Sequence, residues 1–169
     1  MPERDGYTPG VPCWVDTTQP DPAAAVAVYG DLFGWEFEAE RPPGSGGEYL
    51  VARIRGRDVA AVRSATGAAP SVAVWNTYLC VEDADDTTSR VLDAGGGGVV
   101  GPFDVVDAGR MAVVSDPEGA VFSLWQARGR KGAGIVNEHG SENFNDLNVR
   151  DPDGAWSFYG SVFGWRTLE

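Results

Sequence analysis

A fifteen-residue stretch occurs twice in this chain, 130 residues apart. Asp21, Pro22, Ala25, Tyr29, Gly30, Phe33, Gly34 and Trp35 return in register as Asp151, Pro152, Ala155, Tyr159, Gly160, Phe163, Gly164 and Trp165. An internal repeat at a fixed period constrains the fold more than any single residue does. In each copy Asp is a good helix N-cap and the following Pro suits the first helical position, where its missing N–H costs nothing. Gly then ends the helix. The second copy stops four residues after its last match, at Glu169, so it reads as a unit cut short.

Around the first copy, hydrophobic alternation predicts a strand over Cys13–Thr18, with Trp14, Asp16 and Thr18 on one face and Cys13, Val15 and Thr17 on the other. Val26, Tyr29, Leu32 and Phe33 form the apolar stripe of the helix. A strand begins at Trp35, a turn-rich loop covers Arg41–Gly47, and Tyr49–Arg55 and Asp58–Arg63 form a hairpin about Gly56-Arg57. Ser64–Pro70 reads as a small-residue linker. The order strand, helix, three strands then recurs: Thr77–Val81, Ala84–Ala94 capped by Asp83, Val99–Val106, Arg110–Val114 and Val121–Gln126. Gly95–Gly98 has no Lys-Ser/Thr after it, so it is a helix stop and turn rather than a phosphate cradle. Asp116-Pro117-Glu118-Gly119 is a turn before the last strand. Arg128–Gly134 is Gly-rich linker, after which Asn143–Val149 and Asp151–Gly164 repeat the first strand and helix.

Composition sets further bounds. The 169 residues suffice for a proper core, and a net charge of −12 argues against nucleic acid and anionic membranes as partners. Residues 1–7 contain no apolar signal-peptide core, and no run approaches a membrane span. Cys13 and Cys80 are too few for a disulfide scaffold. A cytoplasmic location is the expectation.

Two βαβββ units in one domain resemble the vicinal oxygen chelate superfamily, which includes glyoxalase I, bleomycin-resistance proteins and extradiol dioxygenases. The residues carrying the likeness are Asp21…Tyr29…Phe33-Gly34-Trp35, Val81-Glu82-Asp83 with Gly95-Gly96, and Ser115-Asp116-Pro117-Glu118-Gly119. Among its members, the chain is most similar to two-domain glyoxalase-like proteins of actinobacteria. The resemblance implies an α+β fold of paired βαβββ modules with curled mixed sheets around a cavity, plus a partial third βα module. Residues 11–127 would form the complete domain (modules about 11–63 and 73–127), 128–142 a linker, and 143–169 the truncated start of a second domain.

The family's metal ligands fall, by offset from the capping Asp and the turn Gly, on Trp14, Asn76, Ser123 and the neighbourhood of Ala60. None is a good ligand, and a single His in the whole chain excludes a two-His site. No metal and no other cofactor is therefore expected. The family's topology would instead turn Trp14, Asp16, Thr18, Asn76, Tyr78, Ser123 and Trp125 toward the cavity, an aromatic lining with a few polar groups. Cys80 would join them while Cys13 faces the helix, so no disulfide between the two is expected. Trp14 and Trp125 could equally be core.

Asp16 is the sharpest of these residues, and its counterpart at offset 130 is Asp146. Desolvated beside Trp14 it would suit a general base. Alternatively it pairs with an arginine such as Arg53 or Arg110, takes backbone hydrogen bonds, or accepts a hydrogen bond from a ligand. The expected function is binding of a small organic molecule without the family metal. The alternative is a glyoxalase-like lyase or isomerase acting on a small carbonyl compound with Asp16 as base. A lone strand and helix at 143–169 cannot bury their apolar side, so this segment is expected to dock on the first domain or form a homodimer contact.

Overall fold

The computed structural model describes residues 3–40, 47–65 and 72–167. The expected loop at 41–46 and the linker at 66–70 lie outside the described residues. The chain forms β1 (Pro12–Gln19), α1 (Pro22–Phe33), β2 (Glu36–Glu40), β3 (Tyr49–Ile54), β4 (Arg57–Ser64), β5 (Val74–Cys80), α2 (Ala84–Asp93), β6 (Gly97–Val105), β7 (Gly109–Ser115), β8 (Val121–Ala127) and α3 (Pro152–Phe163). This is the mixed α+β architecture that two βαβββ repeats require. No helix among the described residues is long and apolar enough to cross a membrane.

The chain divides into two compact units. The first comprises Met1–Gly6, Trp14–Thr77 and Lys131–Phe144; the second comprises Tyr7–Cys13, Tyr78–Arg130 and Asn145–Glu169. In the first, β2 and β3 are antiparallel, β3 and β4 antiparallel, and β4 and β1 parallel. In the second, β6, β7 and β8 are antiparallel neighbours and β8 runs parallel to β5. Each unit thus places its first and last strands side by side.

The helix ends obey the capping logic of the sequence. Asp21 accepts from Ala24 N–H at 3.0 Å and Asp151 from Gly154 N–H at 3.0 Å. Asp83 accepts from Asp86 N–H at 2.8 Å. The glycine tetrad works as a stop for two reasons: Gly95 adopts φ 90°, and a Cβ on Gly96 would lie 2.5 Å from the Ser115 carbonyl oxygen. The β3–β4 turn is Arg55-Gly56, with φ of 51° and 73°, one residue earlier than expected. Right-handed strand twist selects such a turn of positive φ, and Arg57 is thereby drawn into the ladder opposite Ile54.

In the first unit Trp35, Ala52, Val59, Ala60 and Ile135 form the core, with Val15, Tyr29, Phe33 and Phe37 packed against it. Residues 131–144 are part of this unit rather than a solvated tether. Ala133, Ile135 and Val136 are buried, Gly134 N–H donates to the Asp58 carbonyl at 2.7 Å, and Trp35 Nε1–H donates to the Gly140 carbonyl at 2.7 Å.

In the second unit, Leu79, Val81, Ala84, Val91, Ala112, Val114, Phe122 and Leu124 form a core that α3 completes with Phe158, Tyr159 and Val162. Five hydrogen bonds hold α3 there. The Tyr159 hydroxyl donates to Asp116 Oδ2 at 3.1 Å. Glu118 accepts from the N–H groups of Arg150 and Asp151 at 2.8 and 3.2 Å. Arg90 donates to the Val162 carbonyl at 3.0 Å, and Trp165 Nε1–H to the Gly10 carbonyl at 2.6 Å. The turn Asp116-Pro117-Glu118-Gly119 therefore spends both carboxylates on α3.

Residues 143–149, expected to repeat β1, form no strand. A strand is held by ladder bonds to a neighbour, and this segment pairs with none of the eight. Asp146 is consequently exposed where its counterpart Asp16 is fully buried.

Burial first, and Asp116 beside it second, push the Tyr159 phenol well above its ordinary value of 10.0. A raised acid favours the protonated native state, so this contribution is full below about pH 10 and lost as pH rises further. Tyr159→Phe should cost about 1 kcal/mol at neutral pH, for one lost hydrogen bond. Urea midpoints measured from pH 8 to 11 should fall less steeply in the variant than in the parent.

Candidate functional site

The polar side chains of the first unit converge on β1. Val15 packs on the helix side with Tyr29 and Phe33, so alternation sends Asp16 to the opposite face. On β5, Trp75 lies edge-on to Tyr29 with ring centroids 5.5 Å apart, and its neighbour Asn76 goes the other way. Strand register adds two more groups. Thr18 of β1 is opposite Arg63 of β4, and Arg63 is opposite Tyr49 of β3, making one row across three strands.

Asp16 is the centre of this cluster and has no solvent exposure. Its Oδ1 accepts from Asn76 Nδ2 at 2.7 Å and lies 3.7 Å from Arg63 Nε. Its Oδ2 accepts from the Tyr49 hydroxyl at 3.5 Å, and that hydroxyl accepts from Trp14 Nε1–H at 2.9 Å. Thr18 Oγ1 accepts from Arg63 Nε at 2.8 Å and from Asn76 Nδ2 at 3.2 Å. Trp14, Asp16, Thr18 and Asn76 are thus brought together within one unit.

Tyr78, Ser123 and Trp125 come together in the second unit. Tyr78 is opposite Ser123 and Cys80 opposite Trp125 in the parallel β5–β8 ladder. The Tyr78 and Trp125 rings meet edge-on at 6.4 Å, all three residues are buried, and Trp125 Nε1–H donates to the Arg130 carbonyl at 3.0 Å.

The arginine that faces Asp16 is Arg63. Arg53 is committed to Glu38 and Asp58, and Arg110 to Asp85 and Asp104. Arg63 and Tyr49 went unrecognised in the sequence because they join β1 only through parallel and cross-strand register. The β1–β4 pairing that brings Arg63 beside Thr18 links segments about 45 residues apart. Trp14, for its part, is 4% exposed with its indole N–H engaged, so it offers a ligand little surface.

Cys13 and Cys80 are neighbours in the second unit rather than pointing to opposite sides. Alternation orders residues within one strand but does not say which faces two neighbouring strands share. Neither thiol is in a disulfide, and both are buried. A hydrogen bond with Cys13 is the main cause that lowers the Cys80 thiol to about 7, against burial and Glu82, which raise it.

The positions that match the family's metal ligands do not fit a divalent ion. Trp14 offers an N–H donor, Asn76 has its amide nitrogen on Asp16, and Ser123 is a buried hydroxyl. The described residues contain no group of three or more His, Cys, Asp or Glu side chains able to hold one. A cavity of about 400 Å³ in the second unit, lined among others by Gly10, Glu82, Arg90 and Gly164, contains none of the expected site residues. It is a cleft beside the C-terminal end of α3. The convergence of polar groups favours the Asp16 cluster as the candidate site.

Residues 14–124 match the Glyoxalase/Bleomycin resistance protein/Dioxygenase superfamily. The chain belongs to this superfamily. It is 42% identical over 166 residues to "Putative glyoxylase CFP32" of Mycobacterium tuberculosis, covering 97% of this chain and 64% of that protein. It is 35% identical over 171 residues to "Anthracycline biosynthesis protein DnrV" of Streptomyces peucetius, covering 94% of this chain and 62% of that one. The chain thus spans somewhat less than two thirds of the length of these curated relatives. Among solved structures, a Mn(II)-bound glyoxalase from Novosphingobium aromaticivorans superposes with a TM-score of 0.58 at 17% identity, over 94% of this chain and 54% of that one. A methylmalonyl-CoA epimerase of Streptomyces coelicolor gives 0.54 at 14% identity, over 74% and 99%. Likeness at that level of identity establishes the superfamily fold.

Asn76→Ala removes an amide that donates to a fully buried carboxylate at 2.7 Å and should destabilise the protein by about 1–3 kcal/mol in denaturant unfolding. For the thiol pair, the iodoacetamide alkylation rate of Cys80 should rise with a midpoint near pH 7. In Cys13→Ala that midpoint should move up toward the ordinary thiol range, which peptide mapping by mass spectrometry would read.

Proposed function

We propose that this chain binds a small organic molecule bearing a carboxylate or a polarised carbonyl at the Asp16 cluster of its first unit, and does so without the family metal. The observation that carries the proposal is the full burial of Asp16 beneath groups that reach the surface. A carboxylate with no exposure does not touch a ligand; it holds Asn76, Tyr49 and Arg63 in place. Arg63 turns its Nε edge inward to Thr18 and Asp16, and its side chain is 42% exposed, so its outer part is the Nη end. A guanidinium fork, a phenol and an amide presented together suit an anionic or carbonyl oxygen.

The relatives support a small-molecule role. Two are named for a glyoxylase and for anthracycline biosynthesis, and the epimerase structure holds a coenzyme A ester. A lyase or isomerase reading is favoured by one contact, the Tyr49 hydroxyl donating to Asp16. In that reading Tyr49 moves the proton at the surface, and Asp16 works through it rather than on the substrate.

A thermal-shift screen of small 2-oxo acids, dicarboxylates and their amides should give stabilisation by the acids. Arg63→Ala should abolish the shift, and because it also removes the cation beside the fully buried Asp16 it should lower the apo melting temperature by several degrees. Shifts that persist in Arg63→Ala would sink the proposal. Turnover that disappears in Tyr49→Phe with ligand binding retained would establish the catalytic reading.

A further inference from the structure

The two copies of the repeat use their helices in complementary ways. Phe158, Tyr159 and Val162 of α3 are buried in the core of the second unit, at 3%, 4% and 2% exposure. The residues at the same repeat positions in α1 are Val28, Tyr29 and Leu32. Tyr29 packs with Phe33 and Trp35 inside the first unit, but Val28 and Leu32 are 59% and 60% exposed. Conversely, Trp156 of α3 is 48% exposed, whereas its counterpart Val26 in α1 is half-buried. Helix α1 has its own βαβββ sheet beneath it and an apolar side left open. Among the described residues no such sheet follows helix α3, and that same side is filled by a βαβββ unit.

The glycine clamps extend the equivalence. Gly10 and Gly140 are also 130 residues apart, and both adopt positive φ, 84° and 75°. Trp165 donates to Gly10 and Trp35 to Gly140, at 2.6 and 2.7 Å. A Cβ on either glycine would meet the carbonyl oxygen of the matching Phe163 or Phe33 at 2.9 or 3.0 Å. The surroundings of α1 therefore already reproduce those of α3 at this end. What α1 lacks is the contact made by residues 158 and 162.

We propose that the Val28–Leu32 side of α1 is a docking face for a further βαβββ unit built like the second unit of this chain. The occupant presents a sheet face of aliphatic residues and Phe, with an Asp-Pro-Glu-Gly type turn beside it whose aspartate takes the Tyr29 hydroxyl, as Asp116 takes that of Tyr159. An arginine on its own helix takes the Leu32 carbonyl, as Arg90 takes that of Val162. The second unit of another copy of this chain is not the natural occupant, because its own α3 already fills that position. The curated mycobacterial relative, of which this chain spans 64%, carries length enough outside the match for such a unit.

The test uses this chain's second unit, with its α3 position vacated, as the surrogate partner. The variant Phe158→Asp/Val162→Asp is mixed with the unmodified chain and followed by sedimentation velocity. The expected result is a complex between the two that the unmodified chain does not form with itself. Val28→Asp/Leu32→Asp in the unmodified partner should weaken that complex at least about tenfold, since it sets charges against an apolar face. The same pair of substitutions should leave the partner's own melting temperature unchanged, because the face is uncovered within the chain. If the vacated variant does not fold, Tyr159→Ala, which removes the ring and its bond to Asp116, serves in its place. A folded vacated variant that forms no complex would overturn the proposal. So would a complex that survives Val28→Asp/Leu32→Asp.

Discussion

An indole packed against a core seeks an acceptor for its N–H, and in both units a glycine carbonyl distant in sequence supplies it. Trp35 and Trp165 each follow a helix, each lie among the aromatic rings of that helix, and each donate to a glycine of positive φ. The bond fixes the exit of the helix, and with it the angle at which Tyr29 or Tyr159 meets its sheet. The segments carrying Gly10 and Gly140 are consequently integral to the units rather than tethers. Substitution at either glycine would set a Cβ against a backbone carbonyl, which has no flexible end to move aside.

The Asp16 cluster depends on a second constraint, the satisfaction of a carboxylate that water does not reach. Four strands contribute to it, and each partner is itself tied to something else. Trp14 holds Tyr49, Thr18 holds Arg63, and Asn76 spans Asp16 and Thr18. Such a network fixes the groups at its rim at the expense of freedom at its centre. On the binding role proposed above, Asp16 would act on a ligand at one remove.

Local chemistry was legible in the sequence, and relations between strands were not. Asp21-Pro22 and Gly34 announced α1, and their repeat announced α3, because capping depends on residues within a few positions of one another. The face of Asp16 followed from alternation along β1. Arg63 and Tyr49 did not follow, since parallel pairing of β1 with β4 sets their place and no local pattern records that register. The proximity of Cys13 to Cys80 was missed for the same reason. The strand expected at 143–149 repeats the pattern of β1 but pairs with no neighbour, and pattern without a partner does not make a strand.

The reach of the two indole bonds bears on how the protein is made. The acceptor of Trp35 lies 105 residues further along the chain, and the donor to Gly10 lies 155 residues after it. During synthesis the first unit therefore emerges with its aromatic cluster open, and stays so until residues near 140 have left the ribosome. The N-terminal strand lead waits longer still, for almost the last residue of the second copy. Each copy is closed by a piece of the other, so neither reaches its final packing early. The aromatic side of α1 would be exposed to chaperones, or to a neighbouring nascent chain, until then.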